Sequence, residues 1–243
     1  MKQQHTLTYY ISSLFLMLLF CVTVNAQDEA PTETVNDSLK LKQKYGLRIG
    51  ADLSKLVRSF IDDDYKGFEL NADYRITKTW YVAGEIGTEE KNTITDFLST
   101  TAKGSYFKAG LDYNMYKNWL GMENMIYTGF RVGVSTFSQQ RNSYTIYAQE
   151  QFWQPQFTSN ESVKFDGLSA IWVELIIGIK AEVLNNLFVG INAQLKSSLS
   201  EDQPEDFENM YIPGFNKTYD SGKFGVGYGY TVSYLIPIFK KNK

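Results

Sequence analysis

Residues Gly222 to Phe239 read G-K-F-G-V-G-Y-G-Y-T-V-S-Y-L-I-P-I-F. The even positions from 224 to 238 are Phe224, Val226, Tyr228, Tyr230, Val232, Tyr234, Ile236 and Ile238, all apolar or aromatic. The odd positions from 225 to 233 are Gly225, Gly227, Gly229, Thr231 and Ser233. A strict period of two puts one greasy face and one small or polar face on an extended strand. The run is also long for an ordinary strand.

The same period recurs upstream. It predicts strands near 45–52, 67–76, 80–88, 105–116, 125–137, 168–183 and 187–197, so that 222–239 is the eighth. Leu70, Phe107, Phe130, Leu175 and Ile191 represent the apolar faces, on which no charged residue falls. The connections alternate: short after the second, fourth and sixth strands, long after the others, at 53–66, 89–104, 138–167 and 198–223. An even strand count with tight turns on one side and long loops on the other predicts an all-β, eight-stranded antiparallel transmembrane β-barrel, with short periplasmic turns and long external loops. The final strand then seals the ring against 45–52. Its aromatic end at Phe239 resembles the signal that barrel-assembly machinery reads during biogenesis, although Lys240 to Lys243 follow it.

Alternation also fits a soluble lipocalin-like ligand-binding barrel, in which the apolar face turns inward. The N-terminus favours export. Lys2 precedes the apolar run Ile11–Val24, and Val24-Asn25-Ala26 is a small-residue cleavage site, so residues 1–26 read as a signal peptide. The run is too short to span a bilayer as a helix. Residues 27–44 are polar and mixed in charge, and read as a disordered periplasmic lead-in, leaving 45–243 for the barrel. An outer-membrane location in a Gram-negative bacterium follows, with outer-membrane lipid as the surrounding partner.

Cleavage after Ala26 removes the only cysteine, Cys21, and the only histidine, His5. Thiolate chemistry, imidazole bases and His- or Cys-ligated zinc then leave the inventory. No cofactor is expected. The formal charge of −3 becomes −4 without Lys2, with no basic surplus for nucleic acid.

With lipid outside, the inner face carries Arg48, Asp52, Glu69, Asp73, Arg75, Glu85, Lys108, Asp112, Arg131, Glu174, Lys180, Glu182 and Lys196. Isolated charges in a narrow dry lumen are costly, so these are expected to pair and to fill the interior without an open pore. Such pairs are structural and leave no catalytic assignment. Asp62-Asp63-Asp64 lacks the full spacing of a calcium loop, and it and the acidic run 200–210 read as solvated. The third long loop is rich in aromatics and glutamines: Tyr144, Tyr147, Phe152, Trp153 and Phe157 suit contact with a protein or glycan partner, or else extend a hairpin above the membrane.

Three stretches, Y-G-L-R-I-G-A-D-L-S-K-L-V-R-S-F (45–60), G-F-E-L-N-A-D-Y-R (67–75) and Y-I-P-G-F-N-K-T-Y-D (211–220), resemble a family of Bacteroidota outer-membrane β-barrel proteins classed as a domain of unknown function. The resemblance implies an outer-membrane location and supplies no reaction, ligand or catalytic residue. The expected function is a small non-enzymatic barrel with a structural or surface-interaction role. The alternative is an accessory barrel of a secretion or envelope-assembly machine.

Overall fold

The computed structural model describes residues 42–116, 123–146, 157–204, 208–216 and 223–242. The proposed signal peptide, most of the lead-in, and Tyr147, Phe152 and Trp153 lie outside the described residues. The elements in chain order are β1 (Lys42–Asp52), α1 (Leu53–Ile61), β2 (Tyr65–Arg75), β3 (Trp80–Ile94), β4 (Leu98–Asn114), β5 (Met125–Ile146), β6 (Phe157–Ser159), β7 (Val163–Leu184), β8 (Leu187–Glu201) and β9 (Phe224–Asn242).

Eight of the strands form a ring. The order β4-β3-β2-β1-β9-β8-β7-β5 is closed by β4 pairing with β5, and every pairing is antiparallel. The alternating residues from Phe224 to Phe239 form most of β9. This strand pairs with β1 from Lys42↔Asn242 to Asp52↔Thr231, and with β8 from Leu187↔Tyr234 to Ser197↔Phe224. Closure removes the unpaired edges that a flat sheet would expose. The β1–β9 seam bulges where Tyr45 pairs Phe239 and Gly46 pairs Pro237. Proline, lacking an N–H, is tolerated at such a bulge. The Tyr45 and Phe239 rings stack beside it, 5.1 Å apart.

The short connections fall where the spacing predicts them: four residues between β2 and β3, ten between β4 and β5, and two between β7 and β8. The last is Asn185-Asn186, with Asn186 at φ 66°, a left-handed conformation that asparagine tolerates better than most residues.

The expected long loops need correction. Three of them carry regular structure among the described residues. The stretch 53–66 contains α1, capped by Asp52, whose carboxylate accepts from the Ser54 N–H. The stretch 89–104 is a hairpin, because β3 and β4 continue to a three-residue turn at 95–97. Strand alternation extends likewise into β5 and β7, and the short β6 adds to β5 through Ile146↔Phe157. At a rise of about 3.3 Å per residue, the 22-residue strands β5 and β7 are about 70 Å long, so this side of the ring stands well above β1 and β2, which have 11 residues each. The lead-in boundary also shifts: Lys42 to Lys44 belong to β1.

Charge and exposure divide across the wall. Leu70, Phe107, Phe130, Leu175, Ile177, Ile191 and Tyr228 lie on the exposed face, whereas Arg48, Asp73, Lys108, Asp112, Arg131 and Lys196 are buried. The core therefore sits inside the ring. No helix among the described residues is long and apolar enough to cross a membrane, which leaves crossing by strands open.

Candidate functional site

Strand alternation aims the charged side chains at one another across the ring. Of the thirteen predicted from the sequence, Glu85 and Glu182 are half-buried and the rest are buried. Near the short turns, Arg48 holds Asp73 at 2.8 Å, and Lys180 reaches the same carboxylate from across the ring at 2.7 Å. Arg75 pairs with Glu123 at 2.7 Å, and Lys44 pairs with Glu182 at 2.9 Å. In the middle, Lys108 faces Glu85 at 2.6 Å, Glu69 at 3.2 Å and Glu174 at 3.8 Å. Arg131 binds Asp112 at 2.8 Å and Glu85 at 3.5 Å, while Lys196 lies 3.5 Å from Glu174.

Asp52 is the exception. It is buried on the inner face, but its partners are backbone donors, the Ser54 N–H at 2.8 Å and the Tyr230 N–H at 3.2 Å. It therefore ties the start of α1 to β9 and is no member of the ion-pair network.

Two voids among these pairs measure about 20 and 10 Å³. Each has room for about one water at most. Among the described residues, little empty space remains between these pairs.

Sequence reasoning missed the layer above. Lys55 turns from the inner side of α1 to pair with Glu89 and, at 3.8 Å, with Glu69. Burial alone would lower the Lys55 pKa, but the two carboxylates outweigh it and hold the ammonium above its usual range. Glu89 also accepts from Tyr65 at 3.0 Å, Tyr211 at 2.6 Å and the Gly214 N–H at 2.8 Å. The last two donors come from 211–215, part of the fourth expected external loop. This segment turns inward. Ile212 and Phe215 pack with Tyr106, Phe137, Leu168, Ala170 and Trp172, and Phe215 meets Trp172 edge-on at 5.9 Å. Lys196 donates to the Gly214 carbonyl at 2.6 Å, locking the plug to the wall. The available signals were Tyr211, Ile212 and Phe215 around a Pro213-Gly214 turn, too apolar for a solvated loop.

Gly214 has φ 82°, and a Cβ there would stand 2.6 Å from the Tyr106 ring. Gly214→Ala is therefore expected to destabilise the protein by about 2 kcal/mol, through backbone strain and overpacking. The check is the midpoint of detergent-solubilised unfolding in urea, followed by tryptophan fluorescence. An unchanged midpoint would mean that the plug is not seated.

At the rim, Tyr144 and Phe157 meet at 6.3 Å and continue the β5–β6 hairpin, which is the hairpin-extension alternative for this loop. Asp62 accepts from Lys91 at 3.0 Å and from Arg58 at 3.4 Å. The Lys91 hydrogen bond holds its carboxyl below the usual carboxylate range. Among the described residues no three metal-ligating side chains converge.

No curated protein and no solved structure matches the chain. Residues 6–241 match the family described as a domain of unknown function, DUF6048. With nearly its whole length matched, the chain belongs to this domain-of-unknown-function family.

Proposed function

We propose that this chain is a small non-enzymatic outer-membrane β-barrel protein of a Gram-negative bacterium of the Bacteroidota type, with a structural or surface-interaction role carried by the rim beyond its long strands. The observation that carries this reading is the inverted wall: the outer face is apolar around the ring, and the charges are paired inside. Water on both sides would leave the apolar face unfavourably exposed, whereas hydrocarbon stabilises it and favours a wall without free backbone groups. A lipocalin-like barrel requires the opposite polarity.

A second feature agrees. Trp80 and Tyr113 meet at 5.0 Å on the outer face near the short turns, with exposed Tyr116 and Phe239 at the same end. Aromatics of this kind sit at membrane–water boundaries. A membrane-spanning strand needs only about 9–11 residues, so roughly half of β5 and β7 would project outside as a wall available to a protein or glycan partner.

Fractionation with a heat-modifiability gel tests the reading. The chain is expected in the outer-membrane fraction, migrating faster unheated than boiled, and silent in planar bilayers because its lumen is filled. Recovery with soluble periplasmic proteins at one mobility would overturn it. Steady conductance would overturn the plugged lumen.

A further inference from the structure

The outward side of α1 is unusually apolar for a rim helix. Leu53, Val57, Phe60 and Ile61 are exposed, Phe60 by 87 % and Ile61 by 79 %, while the inward side seats Lys55. A groove of about 410 Å³ runs between this side and the outer face of β9, lined by Leu53, Val57, Ile61, Tyr228 and Tyr230 together with Ser54, Arg58 and Asp62. That volume is in the range of small-ligand sites. The groove shares Ser54, Arg58 and Tyr228 with a polar cavity of about 270 Å³, to which Lys55, Tyr65, Tyr211 and Asn216 contribute. It also shares Tyr228 and Tyr230 with a shallow apolar track of about 280 Å³ over Ile177, Ile179, Ile191 and Ala193. A polar compartment edged by Arg58 thus adjoins an apolar one.

We propose that this seam binds an anionic membrane lipid, with an acyl chain along the α1–β9 groove and the phosphate at Arg58. The inference rests on the membrane reading above. It follows from the continuity of the groove with the apolar outer wall and from the character of Arg58. The Arg58 guanidinium lies 4.0 Å from the Tyr65 ring, so it is held in place. Its side chain is 37 % exposed and meets Asp62 through Nε at 3.4 Å, which uses one of five N–H donors. Asp62 also takes Lys91 at 3.0 Å, so its charge is shared and opposes an incoming phosphate less. Lys55 is committed to Glu89 and Glu69. Arg58 therefore provides the phosphate contact, for which a fixed planar fork is well suited.

The test places the full chain in phosphatidylethanolamine nanodiscs carrying a trace of phosphatidylglycerol with a mid-chain diazirine, against the same diazirine chain on phosphatidylcholine. Photolysis is expected to label peptides covering 53–62 and 224–230, with the anionic probe captured about tenfold better, because its phosphate has no choline cation beside it to offset the charge that Arg58 meets. Arg58→Gln should abolish that preference while the chain remains heat-modifiable, and Val57→Asn should reduce capture of both probes. The wild-type comparison of head groups stands without any variant. Even labelling around the ring, equal capture of the two head groups, or crosslinking of the groove to a second copy of the chain would each overturn the proposal and leave the barrel intact. A chain that fails to enter nanodiscs would overturn the membrane reading and this inference together.

Discussion

Ile177→Arg is expected to cost about 2–4 kcal/mol and to reduce the assembled, heat-modifiable fraction severely. Ile177 is 66 % exposed on the outer face of β7, paired with Thr128 on one side and Ala193 on the other. In water a residue so exposed would accept arginine within about 0.5 kcal/mol. In hydrocarbon the same change buries a charge with no partner on that face. The substitution thus separates the two environments by a wide margin. Unfolding in lipid vesicles, with Ile177→Leu as the control, measures the difference. Equal stability of the two variants would place water, and not lipid, against this wall.

Lys108→Met is expected to cost about 3–5 kcal/mol, the usual penalty for breaking a buried ion cluster by removing one partner. Lys108 is 1 % exposed and is surrounded by Glu69, Glu85 and Glu174. Without it, the three buried or half-buried carboxylates lose their shared cation and keep Lys55 at 3.8 Å and Arg131 and Lys196 at 3.5 Å as their cationic contacts. Adding Glu69→Gln removes one of those charges while keeping an acceptor for the Tyr106 hydroxyl, which donates to Glu69 at 2.6 Å. The double variant should recover part of the loss. Urea unfolding in detergent reads both. A cost below about 1 kcal/mol, typical of exposed pairs, would mean that the lumen is wet and the cluster solvated.

The wall was legible because alternation is local and strict. Phe107 against Lys108, or Leu175 against Glu174, assigns each residue to a face without knowledge of its partner. The seal between β1 and β9 followed from an even number of strands that must close. The plug was not legible for the opposite reason. Phe215 is buried only because Trp172 waits for it, and Lys55 finds Glu89 only once the ring has formed. Nothing within a few residues of either specifies those meetings. α1 lies between these extremes. Asp52 followed by Leu53, Leu56, Val57, Phe60 and Ile61 has helical spacing and an N-cap. A nine-residue helix between two strands is easily taken for a loop when the period of two governs the rest. Eleven of the thirteen charges are buried and two are half-buried, but alternation could not separate Asp52, whose bonds go to backbone donors, from carboxylates that meet cations.

The double pairing of β9 also shapes the order of assembly. Neighbouring hairpins such as β7–β8 bring together residues that are nearly adjacent along the chain, whereas Lys42 and Asn242 pair across almost its whole length. Loop-closure entropy and contact-order arguments make such distant pairings slow and late. Until β9 arrives, β1 and β8 both present free edges that can recruit wrong strands, from this chain or another. Pairing of the last strand is therefore expected to be the slow step of folding, and misassembly competes with closure until that pairing is complete.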